Sequence, residues 1–263
     1  MRVTALVENQ SNGTLKSKHG LSLYIETLNH TILFDVGPDE TLFENSETLG
    51  IDLSEVDIVV LSHGHVDHGG ALKRFLEINQ TAKIYAQKQA FEKHYSKLLC
   101  FKIEIGIAPE LADHPQVVLL DGDFTICDEL KLFTVTNTEK CYSSANDCLY
   151  TNRDRDSFLH EQNLLIFEDG AVLIMGCGHA GVVNIMERAG EYQPQTCIGG
   201  YHLFNPATKR QVPTGLLDQI ARELTKYNTQ YYTCHCTGKT AFDYLAERVP
   251  RMSYLSCGDS IDI

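Results

Sequence analysis

The chain has 263 residues, 43% of them hydrophobic, and a formal net charge of −13. This length and apolar content suit a packed α/β domain over residues 1–263 rather than a disordered polymer. A surface this acidic argues against non-specific binding to nucleic acid or to an anionic membrane.

No run approaches the ~20 apolar residues of a membrane span, and the N-terminus lacks the apolar stretch of a signal peptide. Nine irregularly spaced cysteines in so long a chain do not read as a disulfide framework. Reduced thiols and a cytoplasmic location are therefore expected.

Strands are expected at residues 2–8, at 21–27 turning through Asn29-His30 into 31–35, and at 57–61, a continuous apolar run suited to burial on both faces. Further strands are expected at 83–86, 117–120, 124–127, 131–136, 163–168, 171–175, 196–198 and 230–233. Helices are expected at 69–77, 182–189, 214–227 with Thr214 as N-cap, and 240–247. Residues 87–115 read as helical at first and irregular later. Residues 138–159 are polar and form a candidate binding loop.

The sharpest signal is Ser62-His63-Gly64-His65-Val66-Asp67-His68-Gly69-Gly70, placed between the buried strand and a helix. His63 and His65, two residues apart, do not share a helical face, so they belong to a loop that can aim two imidazoles at one cation. Asp67 and His68 can then face a second. Imidazole and carboxylate donors suit zinc, and also iron, manganese, nickel or cobalt. A surface loop that merely happens to be rich in histidine is the weaker reading.

One loop does not complete a binuclear site. His160, Cys177, His179, His202 and His235 each open or follow a strand-like run and are the candidates for the rest. His19, His30, His94 and His114 have no such setting and are expected at the surface. Asp35 ends an early strand, either as a plain turn residue or as a carboxylate that holds a ligand loop or a histidine tautomer.

With these residues in view, the chain resembles the metallo-β-lactamase-fold hydrolases. Asp35-Val36-Gly37 matches the family's opening, and His63, His65, Asp67 and His68 match its HxHxDH signature. A narrower resemblance is to the branch that includes the dihydropterin–ribofuranosylaminobenzene phosphate synthase-like proteins. It rests on His19-Gly20-Leu21-Ser22, His160-Glu161-Gln162, Gly176-Cys177-Gly178-His179-Ala180-Gly181, Gly199-Gly200-Tyr201-His202-Leu203 and His235-Cys236-Thr237-Gly238. The resemblance implies a four-layer αββα sandwich with metals at one edge between two sheets. It implies a first ion on His63, His65 and either His160 or His179, and a second on Asp67, His68 and His235. Cys177 stands where the family usually has a bridging aspartate, and it either binds metal or packs.

The expected activity is hydrolysis of an ester, lactone or phosphoester small molecule by a metal-bound hydroxide, with two divalent ions, zinc foremost. Asp67 would orient the nucleophile, and His202 would contact substrate or protonate the leaving group. The Gly181 amide at a helix start could hold an anionic substrate group. The alternatives are a transferase in pterin metabolism, an iron-containing redox enzyme and a non-catalytic sensor.

Overall fold

The computed structural model describes residues 1–98, 101–206 and 208–263. Two seven-stranded sheets form its centre. The first runs in the order Ser260–Asp262, Arg2–Val7, Ser22–Glu26, Thr31–Phe34, Ile58–Val60, Lys83–Gln87 and Val117–Leu120. The second runs Met252–Tyr254, Gln230–Thr233, Thr196–Gly199, Ala171–Ile174, Asn163–Phe167, Leu130–Phe133 and Phe124–Cys127.

Strand alternation divides the apolar residues among three cores. Ile32, Phe34, Ile58 and Val60 of the first sheet meet Leu164, Ile166, Val172, Ile174 and Ile198 of the second in a central layer. Leu33 and Val59 point the other way, onto Leu42 of helix Thr41–Leu49 and Leu72, Phe75 and Leu76 of helix Leu72–Ile78. Leu165, Leu173 and Cys197 face Val183 and Met186 of helix Val182–Ala189, Leu217 and Ile220 of helix Thr214–Leu224, and Leu245 of helix Lys239–Ala246. The layers are therefore helix, sheet, sheet, helix, as expected.

Several local expectations change. The helix expected from residue 69 is two pieces, Val66–Gly69 and Leu72–Ile78. Thr214 lies within its helix, and Pro213 caps it. Helix Thr41–Leu49 was not foreseen.

Residues 87–115 form two 3-10 segments, Lys88–Phe91 and Pro109–Asp113, with the hairpin of His94–Leu98 and Phe101–Glu104 between them. Leu99 and Cys100 lie outside the described residues. The polar stretch 138–159 contributes Leu149–Thr151, which pairs with His94–Leu98 in a separate four-stranded sheet. The eight described cysteines are free thiols. Among the described residues no helix is long and apolar enough to cross a membrane.

Candidate metal centre

The parallel strands Thr31–Phe34, Ile58–Val60, Ala171–Ile174, Thr196–Gly199 and Gln230–Thr233 all run toward one edge. Asp35, the His63–His68 loop, Cys177 and His179, His202 and His235 follow their ends. Carboxyl ends of parallel strands are where α/β folds place their sites. Asp35, His202 and His235 have φ of 60°, 46° and 51°. These left-handed values are uncommon for non-glycine residues and cost local strain that the surrounding packing must hold.

His63, His65 and His179 converge. Their rings lie 4.5, 4.9 and 5.0 Å apart, all three side chains are buried, and each Nε2 lacks a hydrogen-bond partner. Three buried acceptor nitrogens with nothing between them cost free energy unless a cation fills the gap, and their donor atoms lie within 4.8 Å of one another. Mutual repulsion would rise on protonation. Burial first, and the neighbouring imidazoles second, hold all three pKa values well below the usual histidine value.

In His63 and His179 the other ring nitrogen is what aims Nε2 inward. Ser62 Oγ donates to Asp35 Oδ2 at 2.7 Å, so at 2.8 Å it accepts from His63 Nδ1. His179 Nδ1 donates to Asn146 Oδ1 at 2.9 Å, and its ring stacks on Phe158 at 4.5 Å. His68 Nδ1 donates to Asp35 at 2.6 Å, and His235 Nδ1 donates to Asn9 Oδ1 at 2.9 Å. Four tautomers are thereby set with the lone pair on Nε2.

Those two last lone pairs meet: His68 Nε2 and His235 Nε2 are 3.2 Å apart. Cys177 Sγ is 3.2 Å from His68 Nε2, and Asp67 Oδ2 is 3.3 Å from His235 Nε2. Burial opposes charge on Asp67, but His68, His19 and His235 hold its pKa well below the usual carboxylate range. Burial also pulls His68 down, and the Asp35 and Asp67 carboxylates more than offset it, so its pKa is raised. Imidazole, carboxylate and thiol donors gathered in this way fit a divalent cation.

His160 is not part of the trio but groups with His65, His94 and Asp156, whose donor atoms lie within 4.8 Å of one another. Its Nδ1 accepts from the Gly64 N–H at 2.9 Å and its Nε2 donates to Asp156, 3.1 Å away, so neither nitrogen is free. His94, expected at the surface, is fully buried, with its ring 4.1 Å from that of His160 and its Nδ1 3.4 Å from Asp156. His19 is exposed, as expected, and sits 3.3 Å from Asp67 Oδ2 at the cavity wall. His30 pairs with Asp57 away from this edge.

The Gly181 amide donates to Gly178 O, while the amides of His179 and Ala180 donate to the buried Glu161 carboxylate at 2.6 and 2.8 Å. The anion cradle expected there is already filled by the protein's own carboxylate. Burial pushes the Glu161 pKa up to about 7 against those two amide bonds.

Sequence reasoning missed Asn9, Asn146, Asp156, Glu161 and Cys236. Of these, Glu161 beside His160 and Cys236 beside His235 stood within motif blocks, and the other three carried no local signal. A cavity of about 750 Å³ opens over the cluster, walled by His202, His19 and Cys236 on one side and by Val66, Ile105 and Leu149 on another. The ring of His202 lies 4.2 Å from that of His179, with its buried Nδ1 unpartnered.

A sequence profile of the "Metallo-beta-lactamase superfamily" matches residues 18–136. The chain is 28% identical to the 7,8-dihydropterin-6-methyl-4-(beta-D-ribofuranosyl)-aminobenzene-5'-phosphate synthase of Methanocaldococcus jannaschii, covering 94% of this chain and 91% of that protein. It is 25% identical to the protein MJ0448 of the same organism, covering 93% and 94%. Its fold is similar to that of Tm1679, described as a metal-dependent hydrolase of the β-lactamase superfamily, with a TM-score of 0.84 at 24% identity over 100% and 99% of the two chains. Residues 18–136 therefore carry the sequence pattern of the metallo-β-lactamase superfamily, and the chain as a whole has the fold of Tm1679.

Proposed function

We propose that the chain is a metal-dependent hydrolase acting on an ester, lactone or phosphoester bond of a small molecule. The observation that carries this reading is the trio of buried, unpartnered Nε2 atoms of His63, His65 and His179, with His65 and His179 lining an open cavity. These three would hold one divalent ion. Asp67, His68 and His235 would hold a second, with Cys177 between them. Ligands would then come from both sheets, which fits a single domain over residues 1–263. Zinc suits the donor set best, with iron, manganese or nickel as alternatives.

The bound ions would acidify water and polarise the scissile oxygen. The chain's own part is positional. Asp67, partly exposed and ionised, orients water in the cavity by accepting its hydrogen bond. His202, buried with a free Nδ1 beside His179, contacts substrate or donates the proton that the leaving group needs.

Metal-loaded protein should hydrolyse one or more of p-nitrophenyl acetate, dihydrocoumarin and bis-p-nitrophenyl phosphate, and should lose that activity in chelator and on His65→Ala. Full hydrolysis by the His65→Ala protein would overturn the reading. A second reading follows from the 28% identical synthase: group transfer in pterin metabolism. Pyrophosphate release without ester hydrolysis would favour it.

A further inference from the structure

A second cavity, of about 1100 Å³, adjoins the one over the metal cluster. The two share Ala145, Cys148 and Asn205 as a common wall. The cation-binding edge has Val66, Ile105 and Leu149 on its side of that wall. The far side differs in chemistry: Lys97 and Arg210 line it.

Lys97 Nζ sits 3.5 Å over the Tyr150 ring. That contact fixes the ammonium without neutralising it. Neither Lys97 nor Arg210 forms an ion pair among the described residues. Asp147 faces the same cavity, but its Oδ1 accepts from Arg155 at 3.2 Å and from the Tyr142 hydroxyl at 3.1 Å.

We infer that this second cavity takes the distal anionic group of the substrate, a carboxylate or a phosphate, while the bond to be cleaved lies over the histidine cluster. The substrate is then a two-part molecule: a reactive head, an apolar middle crossing the Ala145–Cys148 wall, and a charged tail on Lys97 and Arg210. This deepens the hydrolase proposal and rests on its metal centre.

Two features of the chain make the placement specific. A protein of net charge −13 repels anions at long range, so an anionic tail needs a local pair of uncompensated cations. The helix-start amides near His179, the other place for such a group, are held by Glu161 or by Gly178.

Hydroxamic acids test this without knowledge of the substrate, because the hydroxamate grips a divalent metal directly. Isothermal titration of the zinc-loaded protein would compare straight-chain hydroxamates of four to eight carbons with neutral, carboxylate or phosphate ends. At the best length an anionic tail should tighten binding at least tenfold over the neutral one, and the stronger of the two anions identifies the group. In Lys97→Gln/Arg210→Gln the ratio should fall to near one. In Lys97→Glu/Arg210→Glu an ammonium tail should become the favoured one.

Equal binding of neutral and anionic probes by the native protein overturns the inference while leaving the metal centre standing. So does a tenfold preference that survives the double Gln substitution. If no hydroxamate binds at any length, the metal centre itself fails and the inference falls with it.

Discussion

Asp35 Oδ2 lies 2.6 Å from His68 Nδ1, both side chains fully enclosed, and the same carboxylate accepts from the Ser62 amide and hydroxyl. One residue at the end of an early strand thus sets the tautomer of His68 directly and, through Ser62, that of His63. An Asp35→Asn amide has one acceptor oxygen for three donors and places an NH2 against one of them. Losing such a partner typically lowers metal affinity about 10–100-fold. Competition with a chromogenic zinc chelator should show that loss. Unchanged affinity would mean the carboxylate is structural only.

His179 and His160 separate by experiment as they do by geometry. His179→Ala removes one of three free Nε2 atoms and should reduce the bound metal measured by elemental analysis. His160→Ala leaves the trio intact and should keep the metal count, while removing a buried hydrogen bond to Gly64 N and leaving Asp156 short of a partner. Its cost should fall on stability, about 1–3 kcal/mol in urea unfolding. A full metal complement in His179→Ala would reverse the assignment.

The four layers were legible because period-two alternation marks both faces of a strand. Leu33 between Ile32 and Phe34, and Leu165 between Leu164 and Ile166, assign their cores without further information. The motif loop was legible because its residues are adjacent in sequence. Asn9 and Asn146 were not, because each acts on a histidine far from it in the chain, and Asp156, though only four residues before His160, lies in an irregular stretch with no period to show that the two meet. His94 was read as exposed for the same reason. The strand it opens is stabilised by Leu149–Thr151, a pairing between two stretches that local periodicity left unassigned.

The metal-free chain should be acid-sensitive. His63, His65, His160 and His179 have lowered pKa values, chiefly through burial, so the unfolded chain binds their protons first as pH falls. Their contribution to stability is full above about pH 6.5 and is lost below it. Glu161, raised to about 7, works the other way: its folded form takes a proton that the unfolded form refuses until about pH 4.5. His68, raised by the Asp35 and Asp67 carboxylates, also works against the loss, but the four lowered imidazoles outnumber these two groups, so stability should fall as pH drops below about 6.5. Urea midpoints in chelator at pH 7.5, 6.5 and 5.5 should fall steeply between the last two. A flat profile would show that these imidazoles are not held neutral.

Gly176 tests how closely the two sheets approach at the site. A Cβ there would stand 2.2 Å from Ser62 Oγ and 2.6 Å from Ser62 Cβ. Ser62 has little room to yield, since its hydroxyl links Asp35 to His63. Gly176→Ala should therefore destabilise the protein by about 1–3 kcal/mol, as overpacking does, and should also weaken metal binding because the His63 support moves. Gly13→Ala, with no atom within 4 Å of its Cβ, is the matched control and should be near neutral. Adding Ser62→Gly to Gly176→Ala removes both clashing atoms. The double variant should regain part of the lost stability in urea unfolding but not the metal affinity, because no hydroxyl is left to orient His63. Recovery of both would show that Ser62 fills space there and does not hold the imidazole.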